Sequence, residues 1–163
     1  FKDAYFNRFN NTWHHGDFAE IKKARGFIIH GRSDTTLNPG GVRLGTAEIY
    51  SEVEKFKEIK ESIVVGQSWD NDVRIILFIV MNTNFLLTED LLKKIKIQIR
   101  KNASPRHVPN KVIVVKDIPR TKSGKIVELA VKNIIEGNNI KNKEALANPK
   151  ALEQFKNLKE LRS

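Results

Sequence analysis

The residues Pro119-Arg120-Thr121-Lys122-Ser123-Gly124-Lys125 place one lysine, Lys125, at the end of a short polar loop, between an apolar strand-like run and an apolar helix-like run. A glycine directly before a lysine lets a phosphate-bearing substrate approach the backbone while the ammonium reaches its oxygens. Such a loop offers one movable positive charge to a developing anion. It is not a P-loop. That motif needs glycine five positions before its Gly-Lys pair and Ser or Thr after it, and those positions are Pro119 and Ile126.

Charge converges on the same loop. Residues 1–87 carry 11 Lys or Arg against 11 Asp or Glu, whereas residues 93–125 carry 11 basic residues against Asp117 alone, so this stretch accounts for the net charge of +10. A surface of that sign attracts polyanions: nucleic acid, anionic lipid or a phosphate-rich small molecule. The plainer reading is a solvated helix face. At 163 residues with no cysteine, one cored domain plus a tail is feasible, while disulfides and thiolate metal sites are excluded. A reducing compartment is permitted. No run of about 18 apolar residues is present to span a membrane. Phe1–Phe6 has no signal-peptide layout and no initiator Met, and the chain reads as a piece of something longer.

The elements that must position Lys125 follow from periodicity. Lys22–Gly26 reads as a hairpin turn before the apolar run Phe27-Ile28-Ile29, and residues 31–45 form glycine-punctuated turns. Thr46 is placed to cap a helix carrying Ile49, Val53 and Phe56 on one face. Ser62–Gly66 and Val73–Met81 read as strands joined by a turn at Asp70-Asn71-Asp72. Thr88 caps a second helix with Leu91, Leu92, Ile95 and Ile99 inward. Lys111–Lys116 is a third strand, and Ile126–Glu136 a third helix ended by Gly137-Asn138-Asn139. Asn148-Pro149 opens a last helix striped by Leu152, Phe155, Leu158 and Leu161. This order predicts an α+β fold: a small, mainly antiparallel three-stranded sheet flanked by helices, preceded by a hairpin.

Three segments in this order, Trp13–Asp17, Gly31–Glu48 and Pro119–Lys125, resemble the carboxyl-terminal region of the adenylate-forming superfamily of acyl-CoA synthetases. The string from Leu37-Asn38 through Gly41-Val42-Arg43-Leu44-Gly45-Thr46-Ala47-Glu48-Ile49 looks like its short-chain subgroup. Gly124–Lys132 followed by Asn142–Pro149 looks like the acetoacetate-activating branch; acetate-activating members usually place basic residues where Val127 and Glu128 stand. The resemblance covers nearly the whole chain but about the last quarter of such an enzyme. It divides the chain into residues 1–33, the end of a large amino-terminal adenylation domain with the hinge following; 34–140, a mobile domain; and 141–163, a helical tail extension.

The resemblance implies a cytoplasmic ligase working in two steps. ATP and a carboxylate give an acyl-adenylate and pyrophosphate, with magnesium held mainly by the missing large domain; coenzyme A then displaces AMP. By motif position Lys125 is the catalytic lysine, bridging the acyl carboxylate and the α-phosphate. Asp17 accepts hydrogen bonds from the ribose hydroxyls, with Arg32 near the same ribose. Asp34 is the hinge. Arg43 contacts the nucleotide phosphate. Gly40 and Gly41 line the path of the pantetheine arm, although the superfamily often has Ser in place of Gly40. Arg100 aligns with an arginine that meets the 3′-phosphate of coenzyme A, and a lysine acetyltransferase and deacetylase are expected to act on Lys125. No metal site is expected within the chain, since the adjacent His14 and His15 point apart. The rivals are an acetate- or propionate-activating ligase, a non-catalytic interaction domain and a basic nucleic-acid-binding module. The last is disfavoured for single strands because residues 86–154 contain no Phe, Tyr or Trp for base stacking.

Overall fold

The computed structural model describes residues 5–23, 25–140 and 143–163. Residues 1–4, 24, 141 and 142 lie outside the described residues; they include the start of the amino-terminal segment, one position of the hairpin turn and Asn142 of the tail motif. Strands β1 (Asp17–Ile21) and β2 (Phe27–Arg32) pair antiparallel with Asp17 opposite Arg32, and the Lys22 N–H donates to the Gly26 carbonyl at 2.8 Å to close the hairpin. The hairpin leaves Ile21, Phe27 and Ile29 72%, 71% and 64% exposed.

The second sheet has the order β3 (Ile59–Trp69), β4 (Asp72–Met81), β5 (Lys111–Val114). β3 and β4 pair antiparallel over ten positions, and β4 and β5 pair parallel over four, so the sheet is mainly antiparallel in an α+β fold. The parallel step requires a crossover, supplied by helix α2 (Glu89–Asn102). Helices α1 (Ala47–Val53) and α3 (Glu128–Ile135) both pack against β3. Strand alternation sorts the core into two layers. Ile75, Leu77 and Ile79 face Ile49, Val53, Leu91, Ile95 and Ile99 of α1 and α2, while Ile76, Phe78 and Val80 face Val131 of α3 and Phe155 of the tail. Covered on both faces, β4 reads as an unbroken apolar run for this reason.

Several boundaries differ from the sequence expectation, each for a physical cause. β3 runs beyond Ser62–Gly66 at both ends because pairing with β4 carries polar residues such as Glu61 and Ser68 into the ladder. Only Asp70 and Asn71 form the turn, both left-handed (φ 49° and 58°), as a two-residue hairpin loop requires; Asp72 is already strand. Thr88 caps α2 as expected, accepting from the Leu91 N–H at 3.2 Å. Thr46 does not cap α1. Its backbone is helical (φ −79°, ψ −21°), not the extended form a cap needs. α3 begins at Glu128, since Ile126 bridges back to Arg120 and the polar loop.

The tail is not an α-helix. Pro149–Phe155 and Lys159–Leu161 are 3-10 turns, and the stripe Leu152, Phe155, Leu158, Leu161 has a period of three, which fits that helix. Phe155 is fully buried edge-on to Phe78, with ring centroids 4.9 Å apart. Arg74 ties down the end: it donates to the carbonyls of Leu161 and Ser163 at 2.6 Å each and to Gln67 Oε1 at 2.9 Å, with its Cζ 3.6 Å from the Trp69 ring centroid.

Tyr50 joins three elements. Its hydroxyl donates to the Glu128 carboxylate and accepts the Val64 N–H at 3.0 Å. Burial first, and the Glu128 charge second, push the phenol well above its ordinary value, so it stays a donor. Tyr50→Phe removes both contacts and leaves Val64 and Glu128 unmatched, at a cost of about 1–3 kcal/mol. Denaturant melts of the chain are expected to show that loss; an unchanged midpoint would mean that water replaces the hydroxyl.

Candidate functional site

The Lys125 loop is a small closed hairpin. Thr121 N–H donates to the Lys125 carbonyl at 2.9 Å, Gly124 N–H to the Thr121 carbonyl at 2.8 Å, and Lys125 N–H to Thr121 Oγ1 at 3.0 Å. Arg120 braces it from the side, donating Nη1 to the Gly124 carbonyl at 2.9 Å while Nη2 lies 3.2 Å from the Glu61 carboxylate on β3. The Lys125 side chain is exposed and has no hydrogen bond or ion pair among the described residues. A rigid loop thus carries a free ammonium. The bracing by Arg120, Glu61 and Thr121 was missed in the sequence reading; Glu61 is 59 residues from Arg120 and nothing local links them.

Gly40 and Gly41 sit at the other end of β3. Both are left-handed (φ 57° and 75°), and the Gly40 N–H donates to both Asp72 carboxylate oxygens, at 2.8 and 3.0 Å. The backbone N–H of Val73 first, and that of Gly40 second, hold Asp72 below its ordinary value. It is therefore ionised across the neutral range, and the contact weakens only as pH falls through that lowered value. An open groove of about 650 Å³ lies between Asn38, Gly41, Trp69, Asp70 and Val73. Glu61 and Trp69 are eight residues apart on β3, which is about 26 Å at roughly 3.3 Å per residue. The Lys125 loop and the Gly40–Gly41 loop therefore occupy opposite ends of one sheet.

A third group gathers at the hairpin. Arg32 donates Nε and Nη2 to Asp34 at 3.3 Å each and Nη1 to the His15 carbonyl at 3.0 Å, with Asp17 Oδ1 4.0 Å away. The Asp34 hydrogen bond is the main reason the guanidinium is raised above its already high ordinary value. Asp17 also takes His15 Nδ1 at 2.5 Å. Gly16 (φ 91°) explains the Gly-Asp pair: a β-carbon there would sit 2.8 Å from Arg32 Nη2. The structure therefore brings Asp17, Arg32 and Asp34 together. Arg43, beside the Leu37–Leu44 bridge, and Arg100, in the last turn of α2, are exposed and bond to none of the described residues.

The described residues thus form a hairpin and a helix-covered sheet, with an exposed lysine at one end and a glycine loop at the other. Residues 48–125 match the family described as the AMP-binding enzyme C-terminal domain. The chain is 59% identical over 163 residues to acetoacetyl-coenzyme A synthetase of Rhizobium meliloti (strain 1021), covering 100% of this chain and 25% of that protein. It is 44% identical over 165 residues to acetoacetyl-CoA synthetase of Gallus gallus, again covering 100% of this chain and 25% of that one. Among solved structures, acetoacetyl-CoA synthetase from Streptomyces lividans matches with a TM-score of 0.88 at 38% identity, over 99% of this chain and 25% of the other. The chain spans about a quarter of the length of the curated relatives it matches.

Proposed function

We propose that this chain is the carboxyl-terminal part of an ATP-dependent acetoacetate–CoA ligase, with residues 34–140 as the domain that swings about Asp34, residues 1–33 as the end of the large domain and residues 141–163 as the tail. The observation that carries the reading is the placement of two unlike loops at opposite ends of β3, about 26 Å apart along the strand. One small active site cannot hold both at once, so two successive reactions there need the domain to turn between them. The apolar hairpin face of Ile21, Phe27 and Ile29 supports a large neighbour in the same chain.

In the first half-reaction an acetoacetate carboxylate oxygen attacks the α-phosphorus of ATP and pyrophosphate leaves. Two anions must approach, and the Lys125 ammonium lies between them, drawing one oxygen from each. Asp17 accepts from the ribose hydroxyls with Arg32 beside it, and Arg43 meets the phosphate. In the second half-reaction the thiol sulfur of coenzyme A attacks the acyl carbonyl and AMP leaves with the electron pair of the broken C–O bond. Gly40 and Gly41 then flank the pantetheine arm and Arg100 meets the 3′-phosphate. Acetylation of Lys125 by a lysine acetyltransferase would erase the charge the first step needs, and a deacetylase would restore it. No described helix is long and apolar enough to cross a membrane, and we place the enzyme in the cytoplasm with its small, charged substrates.

Arg100→Ala in the full-length enzyme is expected to raise the apparent KM for CoA about fivefold to tenfold, as loss of one exposed charge-assisted contact would, with that for ATP unchanged. An unaltered CoA dependence removes Arg100 from the site. The reading as a whole is tested by pyrophosphate release from the full-length protein with acetoacetate, acetate and propionate. We expect kcat/KM to favour acetoacetate at least tenfold; a preference for acetate or propionate moves the chain to that branch.

A further inference from the structure

We propose that Asp72 is a positioning residue for thioester formation, holding the Gly40–Gly41 loop in the shape that leaves the thiol-bearing cofactor a path. The inference rests on the two-step reading above and adds a residue that the superfamily resemblance does not assign. Two consecutive glycines have the widest conformational range of any dipeptide, and here both must keep positive φ (57° and 75°). Helix and strand bonding do not enforce this, since Pro39–Gly41 is a single turn closed by the Val42 N–H to the Pro39 carbonyl at 3.2 Å. The strongest tether is the Gly40 N–H, forked onto both oxygens of Asp72 at 2.8 and 3.0 Å. A bond from an N–H to an ionised carboxylate is about twice as strong as its neutral counterpart.

The tether holds only if its own base is fixed, and the structure supplies that. Asp72 pairs with Trp69 across the hairpin, next to the left-handed Asp70 and Asn71. Two residues on, Arg74 shares the strand face of Asp72, packs against the Trp69 ring and binds the tail carbonyls of Leu161 and Ser163. Loop, hairpin tip and tail end form one connected chain of contacts. Arg106 lies over the same glycine, since a β-carbon on Gly40 would meet its Nη1 at 3.4 Å. The Lys125 loop lies at the far end of β3, so loosening Asp72 leaves that loop untouched, while Arg43, two residues beyond Gly41, is held separately by the Leu37–Leu44 bridge with its N–H to carbonyl bonds of 3.0 and 2.9 Å.

The test uses the full-length enzyme with acetoacetate, ATP and CoA. Asp72→Ala is expected to raise the apparent KM for CoA about tenfold, the loss of one charge-assisted tether, while pyrophosphate release without CoA stays within about twofold of the parent. Asp72→Asn, which keeps one acceptor oxygen, falls between. A role confined to stabilising the turn predicts instead a lower melting temperature with both half-reactions reduced together, and that result overturns the proposal. Parent activity is measured first. If the parent forms thioester and both variants keep its CoA dependence, the role of Asp72 alone fails; if the parent makes no CoA thioester, the two-step reading falls and this inference with it.

Discussion

Lys125→Ala in the full-length protein is expected, on the proposed reading, to lose adenylate formation by about a hundredfold to a thousandfold, the scale of removing one donor aimed at a developing charge. Thioester formation from supplied acyl-adenylate is expected to stay within a few-fold of the parent. The asymmetry follows from where the charge is. The ammonium is exposed and free of partners among the described residues, so its removal strands no other group in this chain and the fold survives. In the proposed cycle what is lost is the cation between two anions, needed only while the carboxylate attacks the α-phosphorus, and the loop turns away once the adenylate exists. Equal losses in both half-reactions would show that Lys125 acts as a general anchor for the nucleotide.

Gly41→Leu is expected to give the opposite pattern, thioester formation falling by about a hundredfold with adenylate formation retained. An L-residue in the left-handed region costs roughly 1–2 kcal/mol of stability, a tolerable loss. Nothing lies within 4 Å of a β-carbon built at Gly41, so the new side chain starts out into open space. On the proposed reading that space is the path of the cofactor, and the damage is expected to fall on the second step. Gly41→Ala separates the causes: it carries the same backbone strain with little bulk, and should keep most thioester activity. If Ala and Leu are equally harmful, strain rather than blockage is responsible.

Much of this was legible from single segments, and the limits are physical. Binary patterns located α2 and its Thr88 cap, and the unbroken β4 run announced a strand covered on both faces. Asp70-Asn71 marked a hairpin because those residues tolerate positive φ. The tail shows in the sequence as an apolar stripe, but its spacing of three belongs to a 3-10 turn and not to the expected α-helix. Thr46 has the residue type of a cap but not the backbone. Long-range polar contacts left no local trace: Arg120 with Glu61, Tyr50 with Glu128, Arg74 with the tail, and Gly40 with Asp72. These contacts hold the candidate site residues in place, whereas the motifs named the residues alone.

The central claim is that one small domain serves two reactions by presenting opposite ends of its sheet. The most direct test is a distance. A dye at Lys122→Cys on the Lys125 loop, the native chain here having no cysteine, is paired with a second dye on the large domain of the full-length enzyme. With ATP and acetoacetate bound the separation should be short; with a stable adenylate analogue and CoA it should lengthen by about 20 Å or more, the order of the strand length between the two loops. A single distance common to both states would contradict the account.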